Sequence, residues 1–188
     1  MAGKKILLLF VITLIASALI VWTFVSFDFR SPFFAFLINW LVMSWAAIAG
    51  QFIVFPLFPA AYYEIKPFEK SGRFYERLGV SLYKKIVRRA PFTLLSPTLR
   101  FSGERTFHSL RSLENEMCKA ETSHLVIFLL MFVLTGYALF HGWLDAAAWL
   151  LLFNILFNGY PVTLQRYNRL KIEELMNGML EYPQQKGA

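Results

Sequence analysis

Cysteine is almost missing from this 188-residue sequence, with Cys118 its single copy. One thiol cannot close an internal disulfide and leaves no set of thiolates for a structural zinc site, so Cys118 reads as an isolated small residue. The formal net charge is +7, yet no Gly/Arg-rich arm and no nucleic-acid-binding motif accompanies it, which argues against a nucleic-acid partner. Internal repeats, low-complexity tracts and a second domain are also missing. A bias of basic residues toward one face of a membrane accounts for the charge more simply.

What the sequence has in excess is apolar surface: 57% of its residues are hydrophobic and 18% aromatic, against roughly 45–50% apolar for a soluble domain. These residues are gathered into long blocks. A membrane-crossing helix needs about 20 of them in succession, and four segments qualify, at about 6–27, 33–57, 124–143 and 146–162. The first follows Lys4 and Lys5, as a signal anchor would, but its apolar stretch exceeds the roughly 7–15 residues of a signal peptide and it is read as a retained helix. The second should end where Pro56 and Pro59 interrupt regular helix. The third and fourth are separated only by residues from His141 to Asp145, which predicts a tight antiparallel hairpin with His141 as an interface residue at its turn. The fold class expected is therefore an all-α integral membrane protein with about four transmembrane helices and a single membrane domain.

Between the second and third spans lies the segment 58–123, with 12 Lys or Arg and 7 Asp or Glu. By the positive-inside bias it is cytoplasmic, and four spans then put both termini on that side, next to Lys4 and Lys5 and to Arg166, Arg169 and Lys171. Its stretch PFEKSGRFYERLGVSLYKKIVRRAPF interleaves aromatic and aliphatic residues with basic ones, as an amphipathic, partly helical element on a membrane surface does. Gly72, Gly79 and Pro91 should break it into short pieces. SLRSLENEMCKAETSHLV, rich in good helix formers, should run without a gap into the third span.

Polar residues inside the spans ask for partners. Asn39 and Gln51 are read as helix-packing groups, and Asn154 and Asn158, one turn apart, share a face that should look inward. Glu121 and His124 sit at i and i+3 where the third span enters the membrane, a spacing in which a carboxylate can orient an imidazole that acts as general base. Directly after the fourth span comes LQRYNRLKIE. Arg166 and Arg169 could merely anchor a helix end, but Gln165 and Asn168 add little to anchoring and supply directional donors and acceptors. The hairpin should bring this stretch to the membrane depth of His124.

QRYNR at 165–169, with Asn158 and Pro161 before it and Lys171 after it, resembles the C-terminal signature of the glycosyl-4,4'-diaponeurosporenoate acyltransferase family, small bacterial membrane enzymes of staphyloxanthin-type carotenoid synthesis. FEKSGRFYERLG is similar to the family's Phe-Glu-Lys-x-Gly block, through Phe68, Glu69, Lys70, Gly72, Arg73 and Phe74. EMCKAETSH is similar to its Glu-x-x-Lys-Ala-Glu-x-x-His block, through Glu116, Lys119, Ala120, Glu121 and His124. The blocks keep the family's order and cover about 64–175; departures fall beside them, at Tyr83, Leu125, Leu170 and Lys171. The resemblance implies transfer of a fatty acyl group to a sugar hydroxyl on a glycosylated lipid, with a membrane lipid environment, a glycolipid acceptor and an acyl donor as partners. It calls for no cofactor beyond acyl-CoA or another acyl carrier, and no metal. For that chemistry His124 is the expected base, Glu121 its partner, Arg166, Asn168 or Gln165 the donors to an oxyanion, and Arg169 and Lys171 the groups for phosphates. Glu69 and Asn158 are expected nearby as binding or supporting residues, Glu69 with the alternative of a surface carboxylate balancing Lys70 and Arg73. The lack of a G-x-S-x-G motif is compatible with direct transfer, which needs no covalent enzyme intermediate.

Two other readings of the same residues stay open at this level. Arg169, Glu173 and Glu174 also suggest a membrane-embedded methyltransferase or reductase acting on a lipid. A non-enzymatic lipid-binding protein would need only the basic amphipathic middle.

Overall fold

The computed structural model describes residues 2–52, 58–89 and 106–185. Among these residues the chain is helical, without strands: α1 (Ala2–Ser26), α2 (Pro32–Ala49), α3 (Ala60–Tyr63), α4 (Arg73–Arg77), α5 (Val80–Arg89), α6 (Phe107–Phe140), α7 (Leu144–Asn154), a π-helical turn (Ile155–Gly159) and α8 (Tyr160–Gln185). Four stretches are long and apolar enough to cross a membrane, Gly3–Ser26, Pro32–Ala49, Phe107–Phe140 and Leu144–Leu180. The protein is an all-α integral membrane protein, as its composition requires.

Local chemistry sets the helix ends. Ser31 caps α2, its hydroxyl accepting from the Phe33 N–H at 3.1 Å, and Pro32 occupies the first turn, where a missing N–H costs nothing. The same helix stops at Ala49, ahead of Pro56, because Gly50 is a weak helix former; residues 53–57 of the expected span lie outside the described residues. Phe107–Phe140 is one helix, as the run of helix formers through AETSH predicts, and at about 51 Å it is longer than a hydrocarbon core of about 30 Å. Its end is fixed by Gly142, at φ +71°, with the Trp143 N–H returning to the Ala138 carbonyl at 2.9 Å. This is the tight hairpin turn expected, and His141 stacks there between Tyr137 and Trp143.

The chain divides into two compact units, Met1–Pro56 with Ser123–Pro161, and Leu57–Thr122 with Val162–Ala188. In the first, small residues let helices approach closely: Ala35, Ala138, Ala146 and Ala147 are buried beside Phe34, Ile38 and Leu150. Ala46 packs with Ile127 and Met131. Trp45 donates its indole N–H to Thr13 at 3.1 Å, tying α2 to α1.

In the second unit two apolar groups form the core, Tyr75, Val80 and Leu170 in one and Leu110, Met117, Ile172 and Met176 in the other. Gly72 and Gly79, both at positive φ, fall where the sequence placed breaks, Gly72 just before α4 and Gly79 between α4 and α5; Pro91 lies outside the described residues. Phe68, Phe74, Leu78, Leu82 and Ile86 remain exposed among Lys70, Arg73, Arg77 and Lys85, the distribution of an interfacial element.

The close helix approach in the first unit leads to an expected outcome. Ala138 is fully buried, so Ala138→Leu should destabilise by about 1–3 kcal/mol through overpacking. Leu139→Ala, on an exposed face, should change stability by less than about 0.5 kcal/mol, both read by reversible unfolding in mixed micelles.

Candidate active site

In the second unit the buried face of α8 carries Gln165, Arg169, Ile172 and Met176, at the i, i+4, i+7, i+11 spacing of one helical stripe. The stripe is apolar at one end and polar at the other. On α6 the same change occurs, with Leu110 and Met117 buried first and Glu121 fully buried one turn later. Packing that buries the methionines therefore carries Gln165, Arg169 and Glu121 inside with them.

Those charges are buried as a set. Glu121 divides its carboxylate, Oε1 accepting from Arg166 Nη1 at 3.0 Å and Oε2 from Arg169 Nη1 at 2.9 Å. Arg166 turns its other edge to Glu69, with Nε on Oε1 at 2.9 Å and Nη2 on Oε2 at 3.0 Å, a bidentate pair. It also donates to the carbonyls of Tyr62 at 3.2 Å and Glu64 at 3.4 Å. A guanidinium has five N–H bonds, and these contacts use all of them. Arg169 donates Nη2 to the Tyr63 carbonyl, and each guanidinium lies over a tyrosine ring, Arg166 on Tyr62 and Arg169 on Tyr63. Two carboxylates and two guanidiniums thus leave the interior without net charge, the condition under which burying them is tolerable.

Glu69 sits behind Arg166. It accepts from Tyr75 Oη at 2.5 Å and the Lys66 N–H at 2.6 Å, and it is buried, so it is not a surface carboxylate balancing Lys70 and Arg73. Burial alone would raise its pKa, but the bonds from Arg166, Tyr75 and Lys66 outweigh it and hold the carboxyl below its usual range. Tyr75 moves the other way, its phenol pushed up by burial and by the Glu69 carboxylate. Tyr63 and Thr122 share a hydroxyl–hydroxyl hydrogen bond, which fastens α3 to α6.

The remaining residues of the QRYNR stretch differ in what they have to spare. Asn168 accepts from Lys84 Nζ through Oδ1 at 3.0 Å, which leaves Nδ2 as its donor end. Lys171 pairs with Glu174 at the surface, at 2.9 Å. Gln165 Oε1 and Arg169 Nε are buried without a hydrogen-bond partner among the described residues. Among the described residues, Gln165 Oε1 and Arg169 Nε thus lie one turn apart on the buried face of α8 with bonding capacity left, Asn168 keeps Nδ2 on a half-buried position, and the N–H bonds of Arg166 are all used.

In the first unit His124 is partly buried, with Nδ1 3.4 Å from Asn158 Oδ1. Asn158 is fully buried, as are Asn154 and Asn39. Its Nδ2 lies 3.0 Å from Asn154 Oδ1 and 3.5 Å from Asn39 Oδ1. The expected pairing of Glu121 with His124 is replaced by these contacts: both Glu121 oxygens belong to arginines, and the hydrogen-bonding partner of the imidazole is an amide.

Sequence reasoning found the two polar blocks and missed what joins them. Glu69 and Arg166 are 97 positions apart, and Tyr62, Tyr63 and Tyr75 carried no pattern pointing to a carboxylate or a guanidinium. The continuation of the Ile172 and Met176 stripe back to Arg169 and Gln165 was a usable signal of burial.

A polytopic membrane protein that keeps ionised and amide groups in its interior is of the class whose polar residues serve a site rather than lipid contact. The model of the glycosyl-4,4'-diaponeurosporenoate acyltransferase family matches residues 59–178, more than half of the chain and all three polar blocks, and the chain belongs to this family. No curated protein and no solved structure matches it.

The cluster sets two expectations. Glu121→Gln removes one charge from between two buried guanidiniums and should destabilise by about 3–5 kcal/mol in detergent unfolding, because it leaves uncompensated positive charge inside. The lowered pKa of Glu69 means its stabilisation is complete above its unfolded value, near ~4.3, and is lost as pH falls through the folded value. Glu69→Gln should therefore be less stable at neutral pH and lose less stability on acidification than wild type, measured by unfolding from pH 7 downward.

Proposed function

We propose that the protein transfers a fatty acyl group to a sugar hydroxyl of a glycosylated lipid of the carotenoid-glycoside type, at the cytoplasmic face of a cell membrane. The observation that carries this reading is the family match across 59–178, which takes in the Glu69, Glu121–His124 and QRYNR blocks together. The basic residues of 58–123 support the orientation, with both termini on the cytoplasmic side.

The residues suit that reaction as follows. An alcohol is a poor nucleophile at neutral pH, so His124 takes the hydroxyl proton while the oxygen attacks the carbonyl carbon of an acyl thioester or ester. A C–O bond forms, the carbonyl oxygen becomes an oxyanion, and collapse of the intermediate breaks the bond to the carrier, which leaves with the proton held by the imidazolium. Within QRYNR, Asn168 Nδ2 and Arg169 Nε–H are N–H groups with capacity to spare, as donation to an oxyanion needs, whereas the atom of Gln165 without a partner is Oε1, which accepts. Arg166 holds Glu69 and Glu121 in place, and so acts through its neighbours. Lys171 and the basic middle segment suit the phosphates of acyl-CoA or an anionic head group.

Lipid mass spectrometry of cells with and without the protein should reveal a glycolipid that gains one acyl chain. In membranes, His124→Ala should lower acyl transfer by about 10²-fold or more while the protein still inserts. A variant retaining near wild-type turnover would remove His124 from the base role.

A further inference from the structure

Asparagine side chains in the first unit form a chain of hydrogen bonds whose ends are unambiguous. Both ends are backbone carbonyls, which only accept. Asn154 Nδ2 donates to the Phe128 carbonyl at 2.9 Å, and Asn39 Nδ2 donates to the Ala35 carbonyl at 2.9 Å. Each therefore turns its Oδ1 the other way, toward Asn158, whose Nδ2 meets the two oxygens at 3.0 and 3.5 Å. An amide nitrogen carries two hydrogens, one for each oxygen. Asn158 is then left with Oδ1 facing His124 Nδ1 at 3.4 Å. Reversing Asn158 would set its oxygen against two other oxygens in a site where all three asparagines are fully buried.

We propose that this asparagine relay fixes the tautomer of His124, holding the proton on Nδ1 and leaving the lone pair on Nε2. Asn158 is a positioning residue, and the inference rests on His124 as the base of acyl transfer. An oxygen that only accepts requires an N–H opposite it, and in a neutral imidazole a proton on Nδ1 makes Nε2 the basic nitrogen. Free histidine favours the opposite form, so the relay does work that the isolated side chain would not. The task that a carboxylate performs for a catalytic histidine in other enzymes is here given to a neutral amide, itself oriented from two further helices. A neutral partner leaves the imidazolium that forms during the reaction uncompensated, which favours prompt return of the proton to the departing carrier.

The test is ¹⁵N NMR of the full-length protein in lipid with labelled histidine, the resonances of exposed His108 and His141 identified by His108→Gln and His141→Gln. Wild type should show a pyrrole-type Nδ1 and a pyridine-type Nε2 for His124, a result that depends on no variant folding. Asn158→Leu should shift the proton to Nε2 and lower kcat by about ten- to a hundredfold with little change in KM for donor or acceptor. A wild-type ring protonated on Nε2 or on both nitrogens overturns the proposal, as does an Asn158→Leu protein with the wild-type signature and kcat. Activity surviving in His124→Ala, with the Nδ1–H signature intact in wild type, would instead strike at the base assignment while leaving the relay in place.

Discussion

The carboxylate of Glu121, divided between two guanidiniums, is the constraint from which the second unit takes its form. A carboxylate with no exposed surface is tolerable only when it is paired and fully hydrogen-bonded, and here each of its oxygens meets a separate guanidinium. Arg166 and Arg169 stand three residues apart on α8, so one face of that helix reaches both oxygens. Arg166 has three further N–H bonds to place besides those to Glu121 and the Tyr62 carbonyl, and Glu69 and the Glu64 carbonyl take them. The path of the segment around α3 follows from those attachments more than from that helix itself, none of whose residues is buried.

The general architecture was legible because lipid imposes simple rules. Long apolar blocks, a Gly-centred turn after Phe140 and an unbroken run of helix formers into AETSH correspond to four long helices, a tight hairpin and one continuous α6. The end of α2 at Ala49 was not legible, since Pro56 is the stronger signal in the sequence while Gly50 acts first along the chain. At the site, the blocks that the sequence singled out are joined by contacts other than the expected Glu121–His124 pair. Spacing alone paired Glu121 with His124, and spacing has no knowledge of Arg166 and Arg169, each of which takes one oxygen of the same carboxylate in a charge-assisted hydrogen bond.

Each unit solves a burial problem with a different chemistry. The first uses amides, which are neutral, carry both donor and acceptor, and can be chained so that every oxygen meets a hydrogen. The second uses ions, which bind more strongly but must balance. The asparagines sit on α2, α7 and the π-helical turn, and the ions on α6, on α8 after Pro161 and, at Glu69, ahead of α4.

The balance of two carboxylates against two guanidiniums also has an evolutionary side. No single replacement that alters charge at Glu69, Glu121, Arg166 or Arg169 preserves neutrality, so a lineage leaving this arrangement must pass through an odd-charged interior before a second change restores it. Such a barrier should tie changes at the four positions to one another. Lipid-facing residues such as Leu129 and Val133, which answer only to apolarity, are free to exchange one at a time.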